Sequence, residues 1–329
     1  MEEIRPHTAA RVGPYVVERV LGEGGMGVVH LARSRDGRQV AVQVARAELA
    51  RDPGFRERFR VEAESARRVG GFRTAPVVDA DANADAPWLA TAHVPGPTLA
   101  ELLAVQGPLD EARLRDLGAA LAEALRDIHA CGLVHRDLKP GNVVMAADGP
   151  RVLGVGIARA VENSRLTMTG AGLGTPGFLA PEQVEGLDVT GAADVFALGA
   201  VLVAAAGGTA FGDGTAMALM YRSVHQDADV SAVPVSLRPV VGSCLAREPR
   251  QRPAPETLRE AFAAGPPPAP TPAPPSAPPP GYAPVAVPPP PPYTPPAPGG
   301  LPPGPAPRAG VPPLRAVVRN NAGRGGARG

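Results

Sequence analysis

Charge of one sign, cysteine and long apolar runs are all scarce in this chain of 329 residues. Lys and Arg total 33 against 32 Asp and Glu, a formal net charge of +1, which argues against wholesale nucleic-acid binding by the folded part. The two cysteines, Cys131 and Cys244, lie too far apart in sequence for a metal-ligand or disulfide pattern, so a reducing cytoplasm is the expected setting. The longest apolar stretch, Val195 to Ala206, is too short to cross a bilayer. Met1 to Arg11, read as an N-terminal arm (1–11), carries acids and no apolar run, so no signal peptide is expected. From Gly265 onward the acids disappear altogether.

What is present is a series of strand and helix patterns. Val12 to Leu21 reads as a strand that enters Gly22-Glu23-Gly24-Gly25-Met26-Gly27, and Val28 to Ala32 reads as the next strand. Glycines at that spacing let a backbone lie close over phosphate groups, where a side chain would collide. A dinucleotide site would need a helix directly after the glycines, and a strand follows instead. Gln39 to Ala45 is a further strand. Pro53 to Val69 has helical periodicity, with Phe55, Phe59, Ala63 and Ala66 on one side. Thr74 to Asp79 and Trp88 to His93 read as two more strands, joined by an acid- and Ala-rich turn. Leu109 to Ala130 is an amphipathic helix with Leu114, Leu117, Leu121, Leu125 and Ile128 on one stripe. It leads into His135-Arg136-Asp137-Leu138-Lys139-Pro140-Gly141-Asn142. Helices then run to about Phe262.

That last stretch, H-R-D-L-K-P-x-N, resembles the catalytic loop of the bacterial Hanks-type (eukaryotic-like) serine/threonine protein kinases. The resemblance covers residues 12 to 262 and implies an α+β, two-lobed protein-kinase fold. The expected organisation is a kinase-like domain over 12–264, with a β-rich N-lobe (12–90), a hinge (91–97) and a helical C-lobe (98–264). The catalytic roles would fall to Asp137, which accepts the proton of a substrate hydroxyl, and to Lys139 and Asn142, the last also a magnesium ligand. For nucleotide the resemblance implies Leu21, Gly22, Gly24, Gly27, Val29, Ala41, Gln43, Thr91 (at the gatekeeper position), Val94 and Val144. Glu62 would be the glutamate of the mobile helix, with Glu64 the alternative register. Thr167 and Thr169 sit at phosphosite positions before Gly174-Thr175-Pro176, the substrate-facing loop. Glu182, Asp194 and Arg252 would be architectural.

Two positions depart from the family. Gln43 stands where the family has the lysine that contacts the α- and β-phosphates, and Gly154, in Gly154-Val155-Gly156, stands where it has the magnesium-binding aspartate. The apolar bed for adenine is kept, so the expectation is weak ATP binding that changes little with Mg2+. Two function classes follow. One is a pseudokinase that retains its nucleotide cleft and regulates a partner kinase. The other is an active serine/threonine kinase acting on a protein substrate, in which His30, Arg33 or Arg46 replaces the lysine.

The segment 265–329 holds more than half of the chain's 42 prolines, and Arg308, Arg315, Arg319, Arg324 and Arg328 make it basic. Such a composition cannot bury a core and is expected to be disordered or extended. Pro290-Pro291-Pro292-Tyr293 resembles a ligand for proline-recognising proteins, set against the blander reading of a linker. A scaffold acting through this tail is the third, non-enzymatic reading.

Overall fold

Alternating strands at the start of the chain build one antiparallel sheet. The computed structural model describes residues 10–154 and 175–264. Strands β1 (Arg11–Val12), β2 (Tyr15–Glu23), β3 (Gly27–Arg33), β4 (Gln39–Ala45), β5 (Val77–Asp81) and β6 (Trp88–Ala92) pair in the order β1-β2-β3-β4-β6-β5. Cross-strand partners share a face. Val40 and Val42 therefore lie with Ala32, Ala90 and Trp88 in one apolar cluster closed by Tyr15. The opposite face carries Val29, Gln43 and Leu89 in one row and Leu31, Ala41 and Thr91 in the next.

Helix α1 (Ala47–Ala50) and helix α2 (Pro53–Ala66) follow β4. Asp52 caps α2 by accepting from Gly54 N at 2.8 Å, and Pro53 opens its first turn. Phe55, Phe59 and Ala63 then meet Leu49, Ala45 and Leu89. The sequence reading missed α1. It also ran the first strand through Gly13-Pro14, where the chain turns under Trp88 and Gly13 takes φ +51°.

The remainder is helical. Thr98 and Glu101 form a reciprocal cap that starts α3 (Leu99–Gln106) immediately after β6 and its connecting segment. Asp110 caps α4 (Glu111–Ala130), accepting from Arg113 N at 2.9 Å. After it come the hairpin β7 (Val143–Ala146) and β8 (Gly149–Val152), and helices α5 (Pro181–Val184), α6 (Gly191–Ala205), α7 (Ala216–His225), α8 (Arg238–Cys244) and α9 (Pro255–Ala263). Helix α6 is apolar nearly all round and runs through the centre of this half, as such a helix must. Gly118 on α4 faces Phe262 on α9, so close that a Cβ would overlap the ring at 2.8 Å. Phe262 is fully buried there. The result is the protein-kinase fold, a curled antiparallel sheet with one long helix and a larger helical half. Residues 1–9 of the expected arm 1–11, the segment 155–174 with Thr167 and Thr169, and the tail from 265 lie outside the described residues, whereas Arg11 already belongs to β1.

Candidate active site

The loop after α4 is pinned from three sides. Buried Asp194, near the start of α6, accepts the backbone N–H of His135 at 2.8 Å and of Arg136 at 2.7 Å. It also bonds His129 Nε2 on α4 at 2.8 Å. Arg136 takes φ +67°, a left-handed conformation that costs a non-glycine residue about 1–3 kcal/mol. Asp194 and Gln183, whose Nε2 donates to Arg136 O at 3.1 Å, hold it there. His135 Nε2 lies 2.7 Å from Leu153 O. A carbonyl only accepts, so that nitrogen carries the proton and Nδ1 is left to accept from Asp137 N at 3.4 Å.

This anchoring presents Asp137, Lys139 and Asn142 together. Lys139 Nζ sits 2.9 Å from Asp137 Oδ2 and donates to Thr175 Oγ1 at 2.8 Å. The Thr175 hydroxyl donates onward to Asp137 Oδ1 at 3.4 Å. Asn142 Nδ2 donates to Asp137 O at 2.7 Å and to Oδ2 at 3.1 Å. Its Oδ1 therefore points away from Asp137. Sequence reasoning placed Thr175 in a substrate-facing loop but not on Asp137. The hydroxyl between Gly174 and Pro176 was the available signal.

A magnesium ion does not fit this donor set. The ion wants near-octahedral oxygen, one or two carboxylates among it. The Asp137 carboxylate is already spanned by Lys139, Asn142 and Thr175, and Gly154 supplies no side-chain oxygen. Among the described residues no cluster of three His, Cys, Asp or Glu could hold a metal. Gly154 itself has φ +75°, and no atom of the described residues lies within 4 Å of where a Cβ would project.

Above the loop, the glycine turn closes on itself. Gly24 N donates to Gly27 O at 2.9 Å and Gly27 N to Gly24 O at 3.2 Å. Gly27 cannot carry a side chain, since its Cβ would run into the Val44 carbonyl. Gln43 donates from Nε2 to Met26 Sδ at 3.3 Å. Glu62 is buried under the sheet, whereas Glu64 is exposed and pairs with Arg60 at 2.8 Å, so Glu62 is the inward register. Of the positions expected to bed adenine, Val29, Ala41 and Thr91 share the sheet face described above, Ala41 directly opposite Thr91. Leu21 is largely exposed, beside Gly22 at the end of β2. Val94 is half-buried in the segment after β6. Val144 is buried and bridges Thr98, while a Cβ on Gly96 would crowd it at 3.2 Å.

Further down, Arg252 and Glu182 form a buried two-pronged pair at 2.6 and 2.9 Å. The guanidinium also donates to Ala192 O, Ala246 O and Arg247 O and lies 5.0 Å from the Phe196 ring centroid. Every charge-bearing atom is therefore satisfied.

The fold and this loop together define a protein-kinase-like phosphotransferase architecture. Residues 15–262 match the family described as protein kinase domain. The chain is 48% identical over 265 residues to the serine/threonine-protein kinase AfsK of Streptomyces coelicolor, covering 80% of this chain and 33% of that protein. It is 47% identical over 259 residues to the probable serine/threonine-protein kinase PkwA of Thermomonospora curvata, covering 78% and 35%. The chain thus spans about a third of the length of these relatives. The kinase domain of Mycobacterium tuberculosis PknI superposes with a TM-score of 0.62 at 27% identity, covering 77% of this chain and 96% of that one. The chain belongs to the bacterial Hanks-type serine/threonine protein kinase family. That family generally binds ATP with Mg2+ and acts on proteins. Among the described residues no helix is long and apolar enough to cross a membrane.

Proposed function

We propose that this kinase domain is a pseudokinase, a nucleotide-binding regulator of a partner kinase in the cytoplasm that transfers little or no phosphate. The observation that carries the reading is the absence of charge at two places in one site. Gln43 spends its amide on Met26, and Gly154 offers no carboxylate. Phosphoryl transfer depends on positioning and on neutralising charge, with little covalent help from the protein. Loss of one such electrostatic group typically slows an enzyme about a hundred- to a thousand-fold. In this reading residues 12–90 form the nucleotide-facing lobe and 91–97 the hinge. Val29, Ala41, Thr91, Val94 and Val144 bed the adenine, and Asp137, Lys139 and Asn142 are retained as a structural unit. AMP-PNP is bound by a structure of Rad53 with the same fold at 19% identity, which supports the fold comparison alone.

A second reading has its own support. The Asp137–Lys139–Thr175–Asn142 network is complete, as an active serine/threonine kinase would need. One experiment separates the two. Nucleotide affinity is measured with Mg2+ and with chelator, beside phosphorylation of a generic basic protein by the unaltered chain and by Asp137→Asn. The pseudokinase reading expects weak, metal-insensitive binding and equal, background phosphorylation. Phosphorylation lost in Asp137→Asn would overturn it.

A further inference from the structure

Three cationic or titratable side chains lie close in sequence to the phosphate-facing glycine turn, and their positions separate them. His30 is opposite Val42, on the sheet face that packs against Trp88. Arg33 lies at the far end of β3, bound to Glu18 at 2.6 Å and to Gly37 O at 2.7 Å. Arg46 alone reaches the glycine turn. Its Nη2 and Nε donate to Gly24 O at 2.9 and 3.1 Å, and its backbone N–H is held by Met26 O at 3.0 Å.

We infer that Arg46 supplies the cation for nucleotide phosphates that Gln43 cannot. The inference rests on the nucleotide-cleft reading above. Arg46 is exposed and makes no ion pair with any described residue, whereas Arg33 is paired with Glu18. A guanidinium bound only to one carbonyl keeps its full charge and has donors to spare. A phosphate oxygen is the stronger acceptor, because both partners are then charged. The Gly24–Gly27 turn meanwhile spends two backbone N–H groups on itself, and Arg46 is the charged donor that an arriving phosphate finds beside it. Exchange of the fork from Gly24 O to phosphate would bind the nucleotide and release the turn at once. With no carboxylate at Gly154, binding of this kind needs no metal.

The test is affinity of the full chain for adenosine, ADP and ATP in chelator, for the unaltered protein, Arg46→Ala, Arg46→Lys and Arg33→Ala. Adenosine reports the base bed alone. The expected result is a preference for ADP and ATP over adenosine that falls about ten-fold in Arg46→Ala, the worth of one charge-assisted contact. Adenosine affinity stays constant, Arg46→Lys keeps part of the preference, and Arg33→Ala keeps all of it. An unchanged preference in Arg46→Ala, with adenosine still bound, would overturn the inference and leave the cleft reading standing. An equal fall in Arg33→Ala would also overturn it, since net charge would then explain the effect. Failure of the unaltered chain to bind adenosine or ATP would overturn the cleft reading itself, and this inference with it.

Discussion

The carboxylate of Asp194 accepts the backbone N–H of Arg136 at 2.7 Å, and Arg136 is the one non-glycine residue at positive φ among the described residues. A side chain 58 residues away therefore fixes the backbone that aims Asp137. Asp194→Ala should cost about 2–3 kcal/mol, since it strands one buried and one part-buried N–H donor that now meet a charged acceptor. Asp194→Asn keeps one acceptor oxygen and should cost less. Urea unfolding midpoints give the comparison, and a silent Asp194→Ala would contradict the bracing role.

The Glu182–Arg252 pair gives a different expectation. Removing one partner leaves the other charged and buried, so Glu182→Leu alone should cost about 3–5 kcal/mol. Adding Arg252→Met should recover much of that loss, because two apolar groups leave no orphan charge. Arg252 also holds three backbone carbonyls, so recovery should stop short of the original stability. A double variant weaker than the sum of the single ones would contradict this account.

Restoring the missing charges should restore chemistry if they alone silence the site. Gln43→Lys and Gly154→Asp should each do little, and together with Val155→Phe should give phosphorylation that depends on Asp137, because groups acting as a unit are non-additive. No described residue obstructs the new side chain, but φ +75° at Gly154 means about 1–2 kcal/mol of backbone strain. The triple variant should accordingly melt lower while gaining activity. A folded, nucleotide-binding triple variant without activity would place the defect elsewhere.

The two thiols should react very differently. Burial pushes the Cys244 thiol up from 9.0 to about 12, while Cys131 is part-exposed at the end of α4. Maleimide should label Cys131 alone in the folded protein and both residues in denaturant. The unfolded thiol ionises first, so Cys244 should make stability fall as pH rises from about 9 towards about 12. Native labelling of Cys244 would show that α8 opens more readily than its packing implies.

Much of this was legible in the sequence because local signals agreed with one another. Gln39 to Ala45 is a strand with the expected ends. The choice of Glu62 over Glu64 was legible in part, since Glu62 lies seven residues after Phe55 and three after Phe59, on the helix face that turns inward. Helix α3 went unseen because its start depends on the Thr98–Glu101 cap more than on a long apolar stripe. The link from Arg46 to Gly24 spans 22 residues and follows from the register of three strands, which no local pattern encodes.

The Gly118–Phe262 contact sets a limit on how the protein can be shortened. Phe262 fills a groove on α4 that exists only because residue 118 has no side chain, and Arg115 one turn earlier grips Ala264 O at 2.8 Å. A fragment cut before Phe262 would expose the helix that leads into the Asp137 loop along its apolar seam, and should be recovered as aggregate. A stop codon placed after Ala264 keeps both attachments.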